Sequence, residues 1–178
     1  MIDINSILDS LEQQNWLDWG VILQAWKGLP CTDLKLSTDY ISDYAIAQIE
    51  KAEEDIPSEL IELFDAELLE KQDVTDLLEE ICDREKINKA VSLRKLRLAA
   101  LEKTIDKIPD NCIYALIELT DFWVSWNNPH DKPHVIQGLD SSMNPTKYYS
   151  EKNYQNLLKA HKFWIEQEKI NIINSQSL

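Results

Sequence analysis

Apolar residues recur along this chain at intervals of three, four and seven, the spacing of one buried helix face. Trp16, Trp19, Leu23 and Trp26 form the first stripe, with Asn15 as its expected N-cap and Asp18 at the third position. Ile41, Tyr44, Ala45, Ile49 and Ala52 form the second, opened by Ser37 or Thr38. Pro57 interrupts the pattern and suits the first turn of a new helix, because its ring fixes φ and it has no N–H to lose. The stripe resumes as Leu60, Ile61, Phe64 and Leu68, and again as Val74, Leu77, Leu78 and Ile81. Leu98, Leu101, Ile105 and Ile108 mark a helix ending at Pro109, and Ile113, Leu116, Ile117, Thr120, Trp123 and Val124 mark the next.

Beyond it, Asn127 to Thr146 is rich in Pro, Gly and Asn and has no usable period. This predicts an ordered loop, packed back through Val135, Ile136 and Leu139. The last helix opens near Ser150 and carries Tyr154, Leu157, Leu158, His161, Trp164, Ile165 and Glu168 on one face, with a fraying tail at Asn174–Leu178. Alternating β-branched runs are absent and only Gly20, Gly28 and Gly138 occur. The expected fold is therefore all-α, a single compact domain of seven or eight helices. Its acidic helices span about 38–80, a basic helix about 86–108, the loop about 127–149 and the C-terminal helix about 150–171. The echo between Ile56-Pro57 and Ile108-Pro109 is one weak repeat and does not predict a solenoid.

Composition adds few limits. A chain of 178 residues suits one domain, and 44% hydrophobic with 28% charged residues is ordinary for a folded protein. No run of eighteen apolar residues predicts a membrane span, and Met1-Ile2-Asp3-Ile4-Asn5 lacks the basic-then-apolar pattern of a leader. Cys31, Cys82 and Cys112 have neither metal nor redox spacing and read as reduced thiols. A cytoplasmic location is expected.

Charge changes the picture more. Thirteen of the thirty-one residues from Glu50 to Glu80 are acidic, opposed only by Lys51 and Lys71, so this stretch carries -11 of a chain total of -14. Residues 82–103 carry +4, and an antiparallel hairpin between the two segments would neutralise part of the acidity but not all of it. A charge run is usually a solvated face. The excess here favours fast encounter with a basic partner. Glu53, Glu54, Asp55, Glu59, Glu62, Asp65, Glu67, Glu70, Asp73, Asp76, Glu79 and Glu80 form the candidate partner-binding surface.

Catalytic chemistry finds little footing. No three glycines cluster to cradle a phosphate, no Cys-x-x-Cys pair occurs, and three histidines leave few bases for a nucleophile. His130, Asp131 and His134 could suggest a metal, but Pro129 and Pro133 oppose the helix that would stack two histidines on one face; hydrogen bonding within the loop is expected instead. His161 lies on an apolar stripe and is expected to be structural. The six tryptophans sit mostly at core spacing, with one or two available as exposed anchors. The expectation is a non-enzyme without metal or cofactor; its negative field disfavours nucleic acid, and with no apolar span no membrane partner is expected.

The segment Phe122-Trp123-Val124-Ser125-Trp126-Asn127-Asn128-Pro129-His130-Asp131-Lys132-Pro133-His134-Val135-Ile136-Gln137-Gly138 is distinctive. So is Asn144-Pro145-Thr146-Lys147-Tyr148-Tyr149, followed by Asn153-Tyr154, His161 and Trp164. Together they resemble an uncharacterised family of small helical bacterial proteins that includes immunity proteins encoded beside polymorphic or contact-dependent toxins. The resemblance covers roughly residues 113–168 and is thin over the acidic middle. It implies no catalytic residues. It implies a cognate toxin domain as partner, and many such toxins are nucleases, whose surfaces must be basic to bind phosphate. The expected function is an immunity protein that occludes such a toxin. The alternatives are an acidic helical adaptor or scaffold for another basic protein, and a hydrolase using carboxylates or the His130/His134 loop.

Overall fold

Spacing of buried residues explains where each helix forms. The structure is a computed structural model describing residues 3–28, 36–52 and 55–176. Among these, nine α-helices and one 3₁₀ helix occur with no strand, beyond an isolated bridge between Gln137 and Ser141. The all-α expectation holds. Two of the helices lie on none of the stripes named above: Ile4–Gln13, of ten residues, and Pro145–Tyr148, of four.

The chain divides into two compact units, residues 3–96 and 97–178, and the division falls within a helix, Lys89–Asp106. In the first unit, Ile4–Gln13 (α1) buries Ile4, Ile7, Leu8 and Leu11, the i, i+3, i+4, i+7 pattern of one face. Asp3 caps it by accepting from the Asn5 N–H at 3.2 Å. Trp19–Lys27 (α2) begins later than the sequence predicts. Its cap is Asp18, which accepts from the Val21 N–H at 2.8 Å, whereas Asn15 takes a left-handed φ of 57° after α1. Trp16 accordingly lies outside the helix. The same Asp18 carboxylate accepts from Ser92 Oγ at 2.9 Å and Lys95 Nζ at 2.5 Å, tying α2 to Lys89–Asp106 (α6). Gly20 permits this approach, because a Cβ there would lie 2.4 Å from Ser92 Oγ and 2.7 Å from Ile87 Cγ2.

Thr38–Lys51 (α3) opens at Ser37, as expected, with Ser37 Oγ accepting from the Tyr40 N–H at 3.3 Å. Ser58–Glu62 (α4) runs directly into a 3₁₀ segment, Leu63–Leu68, which packs on α3; Lys71–Arg84 (α5) packs against α2.

In the second unit, Cys112–Ser125 (α7) is capped by Asn111 and packs against Glu151–Gln176 (α9), which also receives the short Pro145–Tyr148 (α8). Ala115, Leu116, Tyr148, Tyr154 and Leu157 form one core cluster. Helix α9 continues through Asn174 to Gln176, where fraying was expected; Ser177 and Leu178 lie outside the described residues. Of the loop's apolar residues, Ile136 is buried, whereas Val135 and Leu139 are exposed. Gly138 at φ 81° turns the chain there, and Asp140 holds the turn by accepting from the Ile136 N–H at 3.0 Å.

Candidate functional site

The period of the chain from Leu60 to Leu68 is three, and this decides what the acidic surface looks like. Leu60, Leu63 and Ala66 are buried at i, i+3, i+6, because residues three apart eclipse in a 3₁₀ helix. Asp65, at φ -110° and ψ 44°, breaks the helical path. The Ala66 N–H donates to Ser42 Oγ on α3 at 3.3 Å, fixing which face turns inward. Ile61, Phe64 and Leu68, expected at a helical core face, are instead 57%, 50% and 76% exposed. Ile56 adds a fourth exposed apolar side chain. Glu62, Asp65 and Glu67 stand between them and are exposed too.

Helix α5 adds a second row of carboxylates. Val74, Leu77, Leu78 and Ile81 are buried, as predicted, which turns Asp73, Asp76 and Glu80 outward at i, i+3, i+7. Part of the acidity is spent internally. Glu59 accepts from Arg84 at 2.8 Å, Glu79 pairs with both Lys27 and Lys89, and Lys89 reaches Asp83 at 2.8 Å. The bonds from Lys27 and Lys89 hold the Glu79 carboxyl below the usual carboxylate range. Two further cations are committed elsewhere: Lys95 is buried on Asp18, and Lys71 lies 5.9 Å over the Trp26 ring. Of the twelve candidate residues, Glu59 and Glu79 are thus internal ties. Asp55, Glu62, Asp65, Glu67, Glu70, Asp73, Asp76 and Glu80 are exposed with no ion pair among the described residues, and Glu53 and Glu54 lie outside them. The first unit holds 22 acidic and 9 basic residues, net -13, against 10 and 9, net -1, in the second.

A cavity of 430 Å³ adjoins α4, walled by Trp19, Tyr44, Gln48, Pro57, Leu60 and Arg84. Tyr44 packs edge-on against Trp19 at 4.7 Å, and burial raises its phenol well above the usual range, so it serves as a neutral hydrogen-bonding group.

The second unit uses its polar residues in the opposite way. His161 is fully buried: Nδ1–H donates to the Leu157 carbonyl at 2.7 Å, and Nε2 accepts from the Trp123 indole N–H at 2.9 Å. That pairing fixes the neutral tautomer. His134 is 2% exposed. Its neighbours Thr120 and Tyr148 spend their hydroxyl protons on the Leu116 and Val135 carbonyls, at 2.8 and 2.7 Å. His134 Nε2 therefore donates to Thr120 Oγ1 at 2.9 Å, and Nδ1 is left as a buried acceptor without a partner among the described residues. Burial lowers His134 to about 3 and His161 to about 4. Arg97 lies 5.9 Å over the Trp123 ring and 5.3 Å over Trp164, and bonds Asp131 at 3.0 Å with Glu168 at 3.7 Å.

The structure does not bring His130, Asp131 and His134 together. His130 is exposed and His134 buried, while Asp131 serves Arg97. Among the described residues no group of three His, Cys, Asp or Glu side chains could hold a metal ion. Hydrogen bonding within the loop was expected of His134; its contact with Tyr148 Oη stays within 127–149, whereas its bond to Thr120 reaches α7. None of the six tryptophans is exposed, and the exposed apolar side chains among the candidate acids are Ile56, Ile61, Phe64 and Leu68, the last three placed on a core face by their spacing. Cys82 is buried, its thiol pushed to about 12 by burial; Cys112 is half-buried, and Cys31 lies outside the described residues. No helix among the described residues is long and apolar enough to cross a membrane.

Residues 8–169 match the model of a family described as an uncharacterized protein conserved in bacteria (DUF2247). No curated protein and no solved structure matches the chain.

Proposed function

The chain belongs to this uncharacterised family conserved in bacteria, and we propose that the protein works by binding, capturing a basic protein surface with the acidic face of its first unit. The observation that carries this reading is the row of exposed carboxylates on α5 and the segment before it, left without ion pairs among the described residues while Lys27, Arg84, Lys89 and Lys95 are committed to Glu59, Glu79, Asp83 and Asp18. Unneutralised surface charge costs self-repulsion, and its return is steering: like-signed clusters speed encounter with an opposite surface and reject partners of their own sign.

The partner class follows from the sequence resemblance. An antibacterial toxin domain that handles nucleic acid presents a basic surface, and an acidic protein covering it excludes phosphate. In this reading the protein is a cytoplasmic immunity protein that acts stoichiometrically, without catalysis, metal or cofactor. Co-expression with the toxin domain of the adjacent upstream reading frame tests it, scored by growth and co-purification. Protection that ends sharply near a simple molar ratio supports occlusion. Protection by a trace of protein would show turnover, and a basic protein that co-purifies without being toxic would make the chain an adaptor.

A further inference from the structure

Charge alone brings proteins together quickly but holds them weakly, because exposed ion pairs are screened. The segment that interrupts the acidic face supplies the other half of an interface. Ile61, Phe64 and Leu68 are more than half or about half exposed, and they alternate in sequence with exposed Glu62, Asp65 and Glu67. The three-residue period makes this arrangement obligatory: with Leu60, Leu63 and Ala66 committed to the core, Ile61 and Phe64 must turn outward.

Resting on the binding function proposed above, we infer that Ile61, Phe64 and Leu68 are the anchor of the interface and that the partner is a basic amphipathic segment, apolar side chains flanked by Lys or Arg. The interleaved carboxylates select that occupant. A neutral apolar partner would bury Glu62, Asp65 and Glu67 without counter-charges, which is costly. A second copy would set one -13 unit against another, and nucleic acid or an anionic lipid surface would be repelled. Only a partner carrying both features satisfies both sets of side chains. The acids then set the association rate and the apolar trio sets the residence time.

Two synthetic helical peptides of equal positive charge test this, one with a Leu face opposite its Lys residues and one with each Leu replaced by Gln. The full chain is expected to bind the Leu peptide at least about tenfold more tightly than the Gln peptide. The gain should sit in slower dissociation. Ile61→Ser/Phe64→Ser/Leu68→Ser should remove that gain and leave the association rate and the circular dichroism spectrum unchanged. Leu68→Ser alone, at the most exposed of the three, should remove part of it. Equal binding of the two peptides, or an unaltered preference in the triple variant, overturns the anchor while leaving electrostatic capture intact. Binding of neither peptide overturns the acidic surface itself, and with it this inference.

Discussion

The two units spend their polar residues in opposite places. The first keeps its charge outside, where eight of the twelve candidate acids stand exposed, and buries chiefly one ion pair, Lys95 on Asp18. The second is almost neutral in net charge and carries its polar chemistry inside, as the His134, His161, Trp123 and Arg97 arrangement. Buried polar groups are expensive unless paired, and most of the second set is paired within the fold, His134 Nδ1 and Arg97 Nε being the atoms without a partner among the described residues. Exposed charges contribute little to stability and remain available. Under the binding function proposed above, this difference assigns capture to the first unit, whose charge is exposed, while the polar groups of the second are buried.

Acid should separate the units most strongly. His134 and His161 hold folded values of about 3 and about 4, below the 6.5 of the unfolded chain. Below pH 6.5 the unfolded state therefore takes up protons that the folded state does not, and stability falls as pH falls toward those values. Each histidine contributes roughly 1.4 kcal/mol per pH unit, so about 5 kcal/mol is lost between pH 6.5 and about 4.5. Glu59 and Glu79, held below the usual carboxylate range, lose their share only at lower pH. The Trp123 indole N–H, followed by NMR, should lose exchange protection in that window before α3 or α5 does. Simultaneous loss everywhere would erase the contrast.

Replacing Arg97 comes next. Arg97→Lys keeps the charge but not the planar group over Trp123 and Trp164 whose one nitrogen, Nη2, reaches both Asp131 and Glu168, and should cost about 3 kcal/mol in urea unfolding. Gly20→Ala should cost about 2 kcal/mol through overlap with Ser92 and Ile87 in the first unit, without altering the environment of Trp123. Reversing Asp73, Asp76 and Glu80 to Lys should move stability by only about 0.5 kcal/mol while slowing capture of a basic partner.

How much of this was readable in the sequence depends on which period the chain obeys. Helices α3, α5, α6, α7 and α9 follow a regular 3.6-residue pattern over fourteen residues or more, and their apolar stripes predicted them. The reading failed where the period shortened. Leu60, Ile61, Phe64 and Leu68 look like a helix face until the 3₁₀ turn makes Leu60, Leu63 and Ala66 the inner row. The signal was present as that second spacing of three. The α2 start was misplaced because Asp18 can serve as an interior acid or as a cap, and only Ser92 and Lys95, over seventy residues away, decide for the cap. Likewise the acidic run gave the sign of the surface, but which acids are spent depends on Arg84, Lys27 and Lys89, contacts that no local pattern encodes.

The salt dependence of association tests the central claim most directly. The protein is mixed with a Lys-rich amphipathic peptide by stopped flow from about 0.05 M to about 0.5 M salt. The account predicts an association rate that falls at least about tenfold across that range, and a slow, nearly flat rate once Glu62, Asp65, Asp73, Asp76 and Glu80 are reversed to Lys. A rate that is flat in the native protein, or unchanged by the reversal, would contradict it and return the acidity to solubility alone.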